Sequence, residues 1–236
     1  MRVKANELAL VQGIDVTRST LRRWNAAPSR VVVPWALGAL AIALALLGAV
    51  LAIAALVTPD PSRLLLPGLN ERAGLAQVGQ VIFRNALVLT LHAMACVAGF
   101  IAGNSLPLQA EHHRGVSRWI HEHAGPAALV FVGAATLFSL VTQAYVLGSG
   151  AATLARQLGI GPGTLMLTLL PHALPELVAL FLPLAAWLVA SRRGRWDELL
   201  AATIATTLLA VPVVLLAANV EVFVWPLLLR AASPLA

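Results

Sequence analysis

Five stretches of the chain are apolar over a bilayer's width or more, and most polar positions lie in the segments between them. The stretches run over about 32–57, 80–107, 126–149, 165–190 and 199–227. A spanning helix needs about 20 apolar residues, so each can cross a membrane with some tilt. The pattern predicts an all-α integral membrane protein: a bundle of five transmembrane helices forming one domain over residues 32–230. Ahead of it, residues 1–31 carry six basic residues. They are read as a cytoplasmic basic arm with the makings of a short interfacial helix. The first apolar run comes too late and is too long for a cleavable signal. No span resembles another closely enough to be an internal repeat.

Composition agrees with the pattern and excludes a soluble domain. Of the 236 residues, 59% are hydrophobic and 11% charged, and the mean hydropathy is +0.85. The single cysteine, Cys96, falls inside an apolar run, so no intrachain disulfide can form. An isoelectric point near 11.2 would suit nucleic acid, but the basic residues are scattered beside the spans, so no nucleic-acid partner is expected. Their distribution speaks to orientation instead. With the N-terminus inside, eleven Lys and Arg residues fall on the cytoplasmic side and five (Arg63, Arg72, Arg84, Arg156 and Arg230) outside. That imbalance predicts an N-inside, C-outside multi-pass protein with an odd number of spans.

The exceptions to the apolar pattern are the candidate functional residues. The fourth span contains LLPHALPELVALFLPL, residues 169–184, with His172 and Glu176 four apart and each preceded by proline. Counting 1.5 Å per residue from the outer boundary puts His92 and Glu176 roughly 10–12 Å deep, and Gln143 and Glu221 at about the same level. Asn85 and His92, seven apart, share one face of the second helix, and His172 and Glu176 share one face of the fourth. An acid at mid-span costs about 2.5–3.5 kcal/mol on translocon scales, so Glu221 rather than Asn219 is expected to face the bundle. The predicted polar cluster is therefore Asn85, His92, Gln143, His172, Glu176 and Glu221, with Arg84 at its rim. Pro175, lacking an amide hydrogen, is expected to kink the helix where the acid turns inward. The plainer reading makes these side chains interhelical hydrogen bonds worth about 0.6 kcal/mol each.

Other motifs point to less. In the loop EHHRGVSRWIHEH, Val116, Trp119 and Ile120 form an apolar stripe, the pattern of an interfacial helix. Its histidines, His112, His113, His121 and His123, match no closed zinc spacing, and no metal or other cofactor is expected. Gly99 and Gly103 make a small-residue face that admits a close neighbour, either within the chain or in a homodimer. Walker, GxSxG, HExxH and CxxC signatures are all missing, which weakens an enzymatic reading.

Three elements taken together resemble the stage II sporulation protein M family of bacterial membrane proteins. They are FRN at 83–85, LLPHALPELVALFLPLAAW at 169–187 and AANVEVFVWP at 217–226. Phe83 and Asn85 match the aromatic and asparagine that open the family's second span. Pro171, His172 and Glu176 match its Pro-His followed by Glu in the fourth span, and Glu221 its late glutamate. Ala173 stands where the family has glycine, and Pro175 adds a proline. The resemblance implies a five-span inner-membrane protein without enzymatic activity. Such a protein would act as a scaffold of a cell-envelope complex, in contact with other membrane proteins including a peptidoglycan-degrading enzyme. Two alternatives stay open on the residues alone: a permease or channel component using Glu176 and Glu221, and an intramembrane metal-dependent hydrolase using His92, His172, Glu176 and Glu221.

Overall fold

The computed structural model describes residues 9–105 and 114–235. Helices α1 (Ala9–Asn25), α2 (Ser29–Leu56), α3 (Leu75–Phe100), α4 (Gly115–Gln157), α5 (Pro162–Arg192), α6 (Leu199–Asn219) and α7 (Trp225–Ala232) follow in order. A π-helical turn, Ile101–Ser105, ends α3, and a second, Val220–Val224, joins α6 to α7. There is no β-strand among the described residues. Five helical segments are long and apolar enough to cross a bilayer: Ser29–Leu56, Leu75–Gly103, Val130–Gln157, Pro162–Arg192 and Trp196–Ala232. The protein is an all-α, five-span membrane protein.

The third span differs most from its predicted extent. The stretch predicted to end at 149 continues as helix to Gln157. Within it Gly148 is closely packed: a Cβ there would lie 2.6 Å from Ile53 Cγ2. The glycine lets α2 and α4 approach each other, the usual role of small residues between membrane helices. Only 6% of this span's most apolar window is buried. Phe131, Phe138 and Tyr145, spaced seven apart, are all exposed and offer their rings to lipid. Two helices stop at glycines that take up a left-handed conformation. Gly159 (φ 66°) ends α4, and Gly194 (φ 65°) lies just beyond α5. In each case the next amide returns to a carbonyl five residues back, Ile160 to Ala155 and Arg195 to Ala190, both at 3.0 Å.

The chain packs as two compact units. One comprises residues 1–38, 89–135 and 181–209, the other residues 39–88, 136–180 and 210–236. In the first, Phe100, Phe181 and Leu199 are fully buried, and Cys96 donates its thiol hydrogen to Pro183 O at 3.1 Å. The small-residue face of α3 is filled from within the same chain: Gly99 meets Trp187 and Leu199, and Gly103 meets Trp196. Helix α1 packs onto this unit. Thr17 and Thr20 are buried, Arg23 reaches Glu198 at 2.6 Å, and Trp24 lies edge-on to Trp35 at 5.2 Å. His112 and His113 lie outside the described residues, as does the side chain of His121. His123 stacks on Trp119 with ring centres 4.7 Å apart.

In the second unit, Leu154, Leu158, Leu165, Trp225 and Leu229 form a core that Leu64, Leu66 and Leu69 cover from the connection between α2 and α3. That connection is tied down by side chains. Gln157 accepts from Leu64 N at 2.9 Å and donates to Leu64 O at 3.1 Å, Thr153 accepts from Asp60 N at 3.0 Å, and Arg230 donates to Gly68 O at 2.6 Å. The amide and hydroxyl of Ser62 hold the Asp60 carboxyl below the usual carboxylate range. Gln157→Leu removes both bonds to Leu64 at once, and an unsatisfied backbone group costs about 1–3 kcal/mol. Faster proteolysis between residues 57 and 74 is the expected result, read by limited digestion in detergent. Unchanged cleavage would show that the other ties hold the connection without Gln157.

Candidate functional site

The site lies wholly within the second unit, at a cavity of about 350 Å³. Helices α2, α4 and α5 supply apolar walls, including Leu46, Val50, Leu154 and Leu169, and Leu64 and Leu66 close one side. Three polar side chains reach this lining: His172, Glu176 and Glu221. A largely apolar pocket with a few convergent polar groups is the usual form of a small-ligand or side-chain site.

Local sequence explains how these side chains come together. His172 and Glu176 lie one helical turn apart on α5, which runs unbroken as helix through Pro171 and Pro175. Glu221 is carried on the π-helical turn after α6. An inserted residue of this kind re-aims side chains and is frequent at functional sites. Beyond it, Pro226 occupies the first turn of α7, where its missing amide hydrogen leaves no bond unmade. Trp225, four residues after Glu221, joins the lining. Its indole donates to Thr168 Oγ1 at 3.2 Å, and its ring lies 5.3 Å from that of His172.

The polar groups are close to one another without satisfying one another. Arg84 approaches Glu221 at 3.7 Å, beyond the ordinary hydrogen-bond range of about 2.7–3.2 Å. Glu176 faces the charges of Glu221 and Arg84 and the amide of Asn85. Even so, His172 Nδ1, Glu176 Oε2 and Asn85 Nδ2 are buried with no hydrogen-bond partner among the described residues. Most buried polar groups are paired, because leaving one unpaired costs about 1–3 kcal/mol. Asn85 lies near enough to act on the Glu176 carboxyl, so the unfilled hydrogen-bonding capacity beside the cavity is that of Glu176 Oε2 and His172 Nδ1. A second cavity, of about 490 Å³, shares Glu221, Trp225 and Leu66 and adds Glu71, Gln77, Gln80 and Arg84 to its lining. Glu221 thus borders both cavities.

Five of the predicted residues, Asn85, His172, Glu176, Glu221 and Arg84, come together in the second unit. Gln143 donates to Ser139 Oγ on its own helix at 2.9 Å and lines neither cavity. His92 belongs to the other unit, buried with its ring 5.4 Å from Phe181. Asn219, two residues before Glu221, is exposed and bonds back to Leu215 O at 2.7 Å. Trp225 was the missed lining residue. Its spacing from Glu221 was the available signal. Among the described residues, no group of three or more His, Cys, Asp or Glu side chains could hold a metal ion.

A family model described as Stage II sporulation protein M matches residues 123–226. No curated protein and no solved structure matches the chain. The matched segment contains Pro171, His172, Glu176, Glu221 and Trp225, whereas Phe83 and Asn85 precede it. The residues that carried the resemblance in the fourth and fifth spans, among them the cavity-lining His172, Glu176 and Glu221, therefore lie inside the segment, residues 123–226, that matches the stage II sporulation protein M family model.

Proposed function

We propose that the protein is a non-enzymatic scaffold of a bacterial inner membrane, oriented with its N-terminus inside and its C-terminus outside. Its cavity receives a group presented by a cell-envelope partner, of which a peptidoglycan-degrading enzyme is the kind the family resemblance implies. One observation carries this reading: His172 Nδ1 and Glu176 Oε2 are buried and unbonded beside an apolar cavity. A cluster serving only to hold the helices together would have closed those bonds internally, as buried polar groups generally do. A donor-bearing side chain from a partner would complete them.

The test is Glu176→Gln, which keeps the side chain's shape and removes its charge. Hydrogen bonds to a charged group contribute about 1.5–3 kcal/mol, so recovery of the peptidoglycan-degrading partner from detergent-solubilised membranes should fall about tenfold or more. The folded variant should purify as the parent does. Undiminished recovery of the partner would count against the scaffold.

Glu221 favours a second reading, a permease component, because it borders two cavities that lie side by side along the chain's polar residues. Proton or cation flux in liposomes that is lost in a Glu176→Gln, Glu221→Gln double variant would support that reading over the scaffold. The hydrolase reading finds no support in the arrangement of the described His, Cys, Asp and Glu side chains.

A further inference from the structure

A third cavity, of about 480 Å³, lies entirely within the first unit and far in chemistry from the acid-lined site. Its lining includes four arginines, Arg23, Arg30, Arg193 and Arg195, and a single carboxylate, Glu198. Trp24 and Trp35 form an aromatic wall, meeting edge to face at 5.2 Å and 79°. Small apolar residues of α5 and α6, among them Ala186, Ala190 and Ala202, make the floor.

The charges are not balanced within the cavity. Glu198 is buried, and its Oε1 takes hydrogen bonds from both Arg23, at 2.6 Å, and Arg195. That one acid is thereby engaged twice. Arg30 and Arg193 have exposed side chains with no ion pair or side-chain hydrogen bond among the described residues, and Asp197 is not part of the lining. Arg30 also stands in the first turn of α2, where the helix dipole is already positive and no acidic residue offsets it. Arg193 follows the end of α5, where a cation is favourable, so its position has an ordinary explanation; Arg30 does not. Guanidinium groups match the oxygens of a phosphate in pairs, and tryptophan favours the boundary between lipid and water. Basic pockets between membrane helices are known binding places for anionic lipid headgroups.

We propose that this cavity is a binding site for an anionic phosphate group, held by Arg30 and Arg193 between the N-terminus of α2 and the C-terminus of α5. The phosphate comes from one of two sources, a phospholipid headgroup or a soluble phosphate compound. Arg23, Arg195 and Glu198 form the fixed back of the site, and the tryptophans border whatever the phosphate is attached to. The proposal is independent of the acid-lined cavity and of the scaffold reading.

The test is native mass spectrometry of the detergent-purified full-length chain, titrated with phosphatidylglycerol and, separately, with phosphatidylcholine. Phosphatidylglycerol should be retained preferentially. An Arg30→Gln, Arg193→Gln double variant should bind it about 30-fold more weakly, the loss expected for two arginines beside an anionic headgroup. A matched double variant, Arg18→Gln and Arg22→Gln, removes the same charge from exposed positions of α1 outside the lining and should bind as the parent does. Thermal unfolding of both double variants guards against loss of fold. If millimolar inorganic phosphate leaves the lipid in place, the site is a headgroup site; if it displaces the lipid and binds directly, the site takes soluble phosphate. Equal retention of the two lipids together with no binding of inorganic phosphate, or equal weakening in the two double variants, would overturn the proposal.

Discussion

Replacing Gly103 with leucine should sharply lower the thermal unfolding midpoint of the detergent-purified protein, while the same replacement at Gly79 leaves it unchanged or slightly raised. Both glycines lie on the helix that carries α3 through the membrane, and both substitutions gain about 0.8–1 kcal/mol of helix propensity. Their surroundings decide the sign. A Cβ at Gly79 meets nothing within 4 Å, whereas one at Gly103 would lie 2.3 Å from Trp196 Cδ2 and 2.4 Å from Cγ. Those are atoms at the root of a ring, not the end of a flexible chain, so the indole cannot simply swing aside. Overpacking costs about 1–3 kcal/mol for a few added methylenes and more where the neighbour is rigid, which outweighs the propensity gain. Trp196 begins the short 3₁₀ turn Trp196–Glu198, so the displacement would also disturb the Glu198 contacts that dock α1. Equal midpoints for the two variants would mean that the close approach of Gly103 to Trp196 contributes nothing to stability.

His172→Leu is expected to separate stability from function. The histidine is buried, its Nδ1 has no partner, and its ring packs against Trp225. Leucine is of similar bulk and leaves no polar atom unbonded, so the fold should hold or gain up to about 1–3 kcal/mol, the cost of the unsatisfied group. Recovery of an envelope partner should nevertheless fall with that of the Glu176→Gln variant. Unfolding midpoints measured alongside co-purification read both effects. A large loss of stability in His172→Leu would instead assign the histidine to holding the bundle together.

The class of the protein was legible from hydropathy, because a bilayer imposes its thickness on every span, and backbone groups in hydrocarbon must be bonded within helices. The family elements around His172, Glu176 and Glu221 were legible too, since an ionisable residue stands out in an apolar run. The extent of α4 was not. GSG at 148–150 lies inside the helix, with Ile53 and Val50 against Gly148, a contact that no pattern along the chain announces. The role of Gly99 and Gly103 was likewise open between a partner chain and a neighbour in the same chain. Trp187, Leu199 and Trp196 occupy that face.

The sequence by itself determined how many times the chain crosses the membrane and which residues resist being there, because both follow from the cost of placing single side chains in lipid. Only the tertiary structure decided which of those residues meet. It gathered Asn85, His172, Glu176 and Glu221 in one unit and set His92 in the other. It carried Glu221 on a π-helical turn and drew Arg30 and Arg193, more than 160 positions apart, to one cavity. Depth in a membrane is a property of each helix alone. Contact depends on how helices rotate and pack, which a pattern along one chain does not encode.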